Sequence, residues 1–70
     1  MYILHSYDRT GFFVESDWED LADLKDSIRK SISKFMLDEH YNVVVELEFD
    51  RVQIWDDESQ VLEYKWFEEN

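Results

Sequence analysis

The chain has 70 residues, of which 18 are Asp or Glu and 7 are Lys or Arg, so its formal net charge is −11. Such a charge favours disorder when apolar surface is scarce, but 44% of these residues are hydrophobic and 17% are aromatic. Composition therefore predicts one small folded domain, residues 1–70, with an anionic surface. That surface should attract basic partners and repel nucleic acid and anionic membranes.

The chain contains no cysteine, which excludes disulfides and thiolate metal sites. A domain of this size buries a small core and is marginally stable, which leaves a homodimer open as a further source of stability. No apolar run reaches transmembrane length, and the first residues lack the basic and apolar regions of a signal peptide. We therefore expect a cytoplasmic protein.

The first 14 residues predict a β-hairpin. Aromatic and β-branched residues over 2–7 indicate a strand, and a turn signal follows at 8–11. The single glycine, Gly11, lies where a positive φ would close the hairpin. Residues 12–14 form the short second strand.

A long helix is predicted next. Ser16 and Glu19 have the spacing of a capping box, which predicts that the helix begins there. Apolar residues then recur at intervals of three and four, the pattern of one buried helix face: Leu21, Leu24, Ile28, Ile32 and Phe35. We expect the helix to end between Leu37 and Glu39.

The second half of the chain predicts three strands. Residues 43–49 alternate, with Val43, Val45, Leu47 and Phe49 toward the core. The apolar parity then changes, which indicates a two-residue turn at Asp50 and Arg51 or a β-bulge, and we favour the turn. A polar loop at 56–60 precedes a last strand at 62–66. The order β-β-α-β-β-β predicts an α+β fold: an antiparallel sheet of four to five strands with one long helix on one face.

The outer face of this sheet is the candidate partner-binding site. Glu46, Glu48 and Asp50 share one strand face at about 6.7 Å intervals, which resembles the step between phosphates of a nucleic-acid strand. Trp55 and Phe67 fall on the same face and could anchor a partner. The complete predicted site is Glu46, Glu48, Asp50, Trp55, Asp56, Asp57, Glu58, Glu63, Phe67, Glu68 and Glu69. Lys and Arg are nearly absent here, whereas an ordinary solvated face, the alternative interpretation, mixes both signs.

The sequence predicts neither a metal, nor a cofactor, nor catalysis. Residues 56–58 lack the order of a calcium loop, and His5 and His40 are isolated from any zinc-ligand pattern. His5 is interpreted as a half-buried strand residue and His40 as an exposed helix-end residue. No nucleophile elbow, glycine-rich phosphate loop or H-E-x-x-H motif is present. The sign of the charge opposes direct nucleic-acid binding.

In size, charge, lack of cysteine and carboxylates on a sheet face, the chain resembles the small acidic inhibitors of phages and mobile elements, the DNA-mimic anti-CRISPR and anti-restriction proteins. The resemblance covers the whole chain as composition and rests on no motif. It implies a stoichiometric inhibitor that blocks a basic nucleic-acid-binding protein of host defence or DNA processing. Two alternatives stay open: an immunity protein or antitoxin against a basic nuclease toxin, and a subunit whose sheet edge accepts another protein's strand.

Overall fold

The computed structural model describes residues 1–46 and 49–69 and has an α+β fold, as the sequence predicts. In chain order the elements are β1 (Tyr2–Asp8), β2 (Phe13–Trp18), α1 (Leu21–Met36), β3 (Tyr41–Glu46), β4 (Arg51–Asp56) and β5 (Ser59–Glu68). The strands form one antiparallel sheet in the order β2-β1-β5-β4-β3. The edges of the sheet are therefore β2 and β3, and α1 packs on one face.

The turn between β1 and β2 is built by one carboxylate and the glycine. Asp8 accepts hydrogen bonds from the Thr10 hydroxyl (2.6 Å) and amide (2.9 Å) and from the Phe12 amide (3.0 Å). The Thr10 hydroxyl is the main reason that the pKa of Asp8 is lowered. Gly11 has φ 87°, in the left-handed region that side chains disfavour. The predicted hairpin is thus confirmed, although β2 continues to Trp18.

The helix begins later than the capping-box pattern predicts. Ser16 lies in β2, where its hydroxyl accepts a hydrogen bond from the Trp18 indole at 2.9 Å. The N-cap is Asp20, whose carboxylate accepts a hydrogen bond from the Ala22 amide at 2.8 Å. The Ser16 cap was wrong because Trp18 extends the strand opposite Tyr2, and Asp is an equally good N-cap. The predicted end is confirmed, since Leu37 is the C-cap.

The core lies between α1 and the sheet. Its buried members are Leu4, Leu24, Ile28, Ile32, Val52, Ile54 and Trp66. The predicted helix face is confirmed, with Leu21 and Phe35 packed at its margin. Val45 and Phe49 were predicted to be core residues, but both are exposed: Val45 is on the edge strand and Phe49 follows its end. The predicted core residue Leu47 lies outside the described residues.

The connection from β3 to β4 differs from the predicted two-residue turn. Strand β3 ends at Glu46, which lies opposite Arg51, the first residue of β4. The predicted two-residue turn at Asp50 and Arg51 was wrong, because Arg51 is already paired in β4 and only Asp50 of the two lies in the connection. Asp50 belongs to this connection and has φ 48°, and its carbonyl accepts a hydrogen bond from the Trp66 amide at 3.1 Å.

The predicted loop at 56–60 is shorter in the structure. Only Asp57 and Glu58 form the turn, so β5 begins at Ser59. The pairing of β4 with β5 has a register shift between Ile54 and Trp55, next to this turn. Ile54 lies opposite Leu62, whereas Trp55 lies opposite Gln60, so Val61 is skipped in the pairing. Strand β5 is ten residues long and forms the centre of the sheet.

Candidate protein-interaction surface

The outer face, defined as the side of the sheet opposite α1, is crossed by two rows of facing residues. Strand pairing fixes both rows, because directly opposite residues in a sheet share a face. The first row across the sheet is Glu15, His5, Lys65, Arg51 and Glu46, and the second is Phe13, Tyr7, Glu63, Gln53 and Val44. The outer face therefore has an aromatic side over β2 and β1 and a polar side over β4 and β3.

The predicted row of three carboxylates is not a single strand row. Glu46 is on the outer face of β3, Asp50 lies beyond the strand in the connection, and Glu48 lies outside the described residues. The regular spacing that suggested phosphates depended on one strand running through all three positions. Because β3 ends at Glu46, the described residues do not supply that spacing.

Glu46 is also neutralised by a neighbouring base. Arg51 donates a hydrogen bond to the Glu46 carboxylate at 2.7 Å, and both side chains are partly buried. This hydrogen bond is the main reason that the pKa of Arg51 is raised. Lys65 faces Arg51 from β5. The prediction that Lys and Arg are nearly absent from this face was therefore wrong, because strand register brings Arg51 and Lys65 to its centre.

The other predicted site residues are spread along the sheet. At one end, Asp56 contacts Arg9 at 3.4 Å and His40 at 2.6 Å, while Asp57 and Glu58 are exposed in the turn. At the other end lie Phe67, Glu68 and Glu69. Ten residues of strand β5 separate these ends by about 33 Å, so the predicted residues do not form one compact patch.

Between these ends, Gln53 connects two predicted residues. Its side-chain amide donates a hydrogen bond to Glu63 at 2.8 Å, and its side-chain carbonyl accepts one from the Trp55 indole at 3.3 Å. Trp55 is half-buried. A ring held in this way is part of the polar side of the outer face and presents less free area to a partner than an exposed ring would.

Four ring side chains form a cluster that we call the aromatic patch: His5, Tyr7, Phe13 and Phe67. The His5 ring lies edge-on to Phe13 at 5.0 Å and to Phe67 at 5.3 Å, and Tyr7 lies 4.9 Å from Phe13 between centroids. The exposed fractions are 38% for Tyr7, 45% for Phe13 and 44% for Phe67. Since α1 covers the other face, these rings pack on one another and remain open to solvent.

Carboxylates surround the aromatic patch. The Glu15 carboxylate contacts the His5 ring nitrogen at 2.8 Å, and Asp17 follows two residues later on the same face of β2. Glu63 lies opposite Tyr7 on β5. An apolar centre with a charged rim is the usual anatomy of a protein-binding surface.

Sequence reasoning found only Phe67 of this patch. The other three rings, those of His5, Tyr7 and Phe13, belong to a hairpin more than 50 residues before Phe67 in the chain. Only strand pairing brings them next to Phe67. A signal was present nonetheless, because His5 and Tyr7 have the opposite parity to Leu4, which places rings on the face away from the core.

No family model, curated protein or solved structure matches this chain. Within residues 1–46 and 49–69, no helix has the length and apolar composition needed to cross a membrane. In the same described residues, no group of three or more His, Asp or Glu side chains is arranged to hold a metal ion.

Proposed function

We propose that the protein is a stoichiometric, non-enzymatic inhibitor that occupies the basic nucleic-acid-binding site of a host defence or DNA-processing protein in the cytoplasm. The observation that carries the proposal is the aromatic patch, three exposed rings on an uncovered sheet face of a chain with net charge −11. Exposed rings supply large contact areas, and they are enriched where binding energy concentrates.

The distribution of charge supports a basic partner. Helix α1 holds four bases and two acids, a net charge of +2, so the remainder of the chain, with three bases and sixteen acids, carries −13. The anionic field therefore originates in the strands and turns. Such a field accelerates encounter with a cationic groove and discriminates against acidic proteins.

The chemistry of the patch matches what a nucleic-acid site offers. Sites that bind single strands combine a positively charged groove with surfaces on which bases stack. The rings of Tyr7, Phe13 and Phe67 can occupy stacking positions, while Glu15 and Asp17 beside them take the place of phosphates. This assignment moves the acidic contacts from β3, where Arg51 neutralises Glu46, to the neighbourhood of the rings.

A second candidate is an immunity protein or antitoxin that neutralises a basic nuclease toxin. One observation favours it: of the acids around the aromatic patch only Glu15 and Asp17 share a strand, while Glu63 lies on β5, so they do not form one long row. A nuclease active site can be blocked by irregularly placed carboxylates and rings, since shape and charge complementarity suffice there.

The proposal is tested by capture followed by competition. The tagged protein is used to capture proteins from a host lysate, each captured protein is purified, and binding is measured with and without an oligonucleotide. We expect a basic protein that the oligonucleotide displaces and whose activity falls at a 1:1 ratio. If the target is a toxic nuclease, the second candidate is correct.

Matched variants then test the surface. Phe67→Ala should speed dissociation about thirtyfold if the ring is a hot spot worth about 2 kcal/mol. Glu15→Gln with Asp17→Asn should instead slow association and reduce its salt dependence. The control is Phe49→Ala, which removes an exposed ring outside the aromatic patch. Undiminished binding by Phe67→Ala, or a target that keeps the inhibitor at saturating oligonucleotide, contradicts the proposal.

A further inference from the structure

The two edges of the sheet differ in how they discourage pairing with another strand. Strand β2 carries Glu15 and Asp17, both exposed, and native edges use charges of this kind to prevent association. Strand β3 carries one acid, Glu46, whose charge Arg51 offsets at 2.7 Å. No proline or lysine interrupts β3. In a chain of net charge −11, β3 is thus an edge with almost no net charge.

The centre of β3 is also apolar. It contains three consecutive valines, of which Val44 on the outer face and Val45 on the helix side are exposed. Among the described residues β3 pairs only with β4, so its second side presents unpaired backbone groups. A strand of this composition is well suited to accept another strand.

We propose that β3 pairs with β3 of a second copy, antiparallel, about a twofold axis at Val44. In this register Val43 lies opposite Val45 of the second copy, and Asn42 lies opposite Glu46. Each Asn42 amide can then donate a hydrogen bond to a carboxylate, and no two acids face each other. The pairing is self-complementary, as a twofold interface requires.

The alternative register, with the axis at Val43, is less complementary. It places Asn42 opposite Val44 and Tyr41 opposite Val45, so a polar amide faces an apolar side chain. In this register Glu46 also has no facing residue within β3 of the second copy. Moving the axis by one residue shifts the partner of every residue by two positions, so each facing pair changes and the two registers are experimentally distinct.

An open groove on the helix side supplies additional apolar contact. It lies between α1 and the β3 edge, has a volume of about 270 Å³, and is lined by Ile32, Met36, Val45, Val52 and Trp66 among others. Met36 and Val45 are exposed there. Pairing of β3 would bring valines of the second copy beside them and remove apolar surface from water.

The interface is small, and the two copies repel each other electrostatically. Six strand residues with a few groove side chains fall at the low end of stable interfaces, near 1,200 Å² of buried surface. We therefore expect association that depends on protein concentration and strengthens with salt, because salt screens the repulsion. The aromatic patch lies toward the opposite edge of the sheet, so it remains open in the dimer.

Introduced cysteines test the axis directly, since the parent chain contains none. Facing residues of antiparallel strands have Cα atoms about 4.5–5.5 Å apart, within the range that a disulfide spans. Under mild oxidation Val44→Cys should form a covalent dimer. Val14→Cys is the matched control, because Val14 is on the other edge strand and is 46% exposed, against 40% for Val44.

Sedimentation of the unoxidised protein completes the test. The parent should shift from monomer to dimer with increasing concentration at about 0.3 M salt, where the Debye length falls below about 8 Å. Val44→Lys should remain monomeric although it lowers the net negative charge, and Val14→Lys should dimerise like the parent. A parent that stays monomeric at millimolar concentration, or preferential cross-linking of Val14→Cys, overturns the proposal. Efficient cross-linking of Val43→Cys in place of Val44→Cys overturns the register.

Discussion

Truncation of Leu24 is the most direct test of the helix–sheet core. Leu24 is 0% exposed and packs with the buried residues of β1, β4 and β5. Leu24→Ala removes three carbon atoms, which costs about 2.4 kcal/mol at about 0.8 kcal/mol per buried methylene. The residual cavity adds to this, so we expect a loss of about 3–4 kcal/mol.

That loss is large for this chain. At about 0.05–0.15 kcal/mol per residue, a 70-residue domain has a free energy of unfolding of about 3.5–10 kcal/mol. The melting temperature should therefore fall by about 12–32 °C, since each kcal/mol is worth about 4–8 °C in a domain of this size. Urea unfolding, followed by circular dichroism at a fixed protein concentration, measures the change in the free energy of unfolding.

Two further variants keep this measurement interpretable. Ile54→Val, at the other fully buried position, should lower the free energy of unfolding by about 0.5–1.5 kcal/mol. This milder change should leave the protein folded even if Leu24→Ala unfolds it. Val14→Ala, on an exposed edge, should stay within about 0.5 kcal/mol of the parent. A loss below about 1 kcal/mol at Leu24 would refute the packing of this helix face on the sheet.

Three other predictions follow from the charges, Tyr64 and Gly11. Moderate salt should raise the melting temperature, because screening weakens repulsion within a chain of net charge −11; a steady fall with salt would mean that attractive pairs dominate. Burial raises the pKa of Tyr64 above its ordinary value of 10.0, so its contribution to stability is present below pH 10 and is lost as pH rises through the folded-state pKa. Tyr64→Phe should remove that alkaline loss in thermal melts taken at increasing pH. Gly11→Ala should lower the free energy of unfolding measured in urea by about 1–2 kcal/mol, because φ is 87°, a conformation that side chains disfavour. A Cβ there would meet no atom within 4 Å, so no steric clash adds to this cost. An unchanged stability would mean that the turn adopts another conformation.

The sequence predicted the helix and the order of elements because both rest on local periodicity. Leu24, Ile28 and Ile32 recur on one helical face, and no other pattern competes over that stretch. The helix start was harder, since Ser16 and Asp20 are both good N-caps. Pairing of Trp18 with Tyr2, a contact between distant residues, decided between them.

The candidate site was harder to predict because it depends on register. The sequence alternates from Val43 to Phe49 whether or not the strand continues past Glu46. The contact of Glu46 with Arg51 follows from where the chain turns back, which the turn residues did not reveal. The aromatic patch likewise needs β1 between β2 and β5, an arrangement that local patterns do not specify.

The charge layout connects the two proposals physically. Helix α1 carries +2 and the rest of the chain −13, so the outer face is the side that a basic partner meets without the helical lysines. Pairing through β3 would extend the sheet in its own plane and keep both helices on one side. The two outer faces would then point the same way, each with an aromatic patch near the distal edge. Because the β3 edge has almost no net charge, copies can meet there while the acids around both patches stay free to steer the partner.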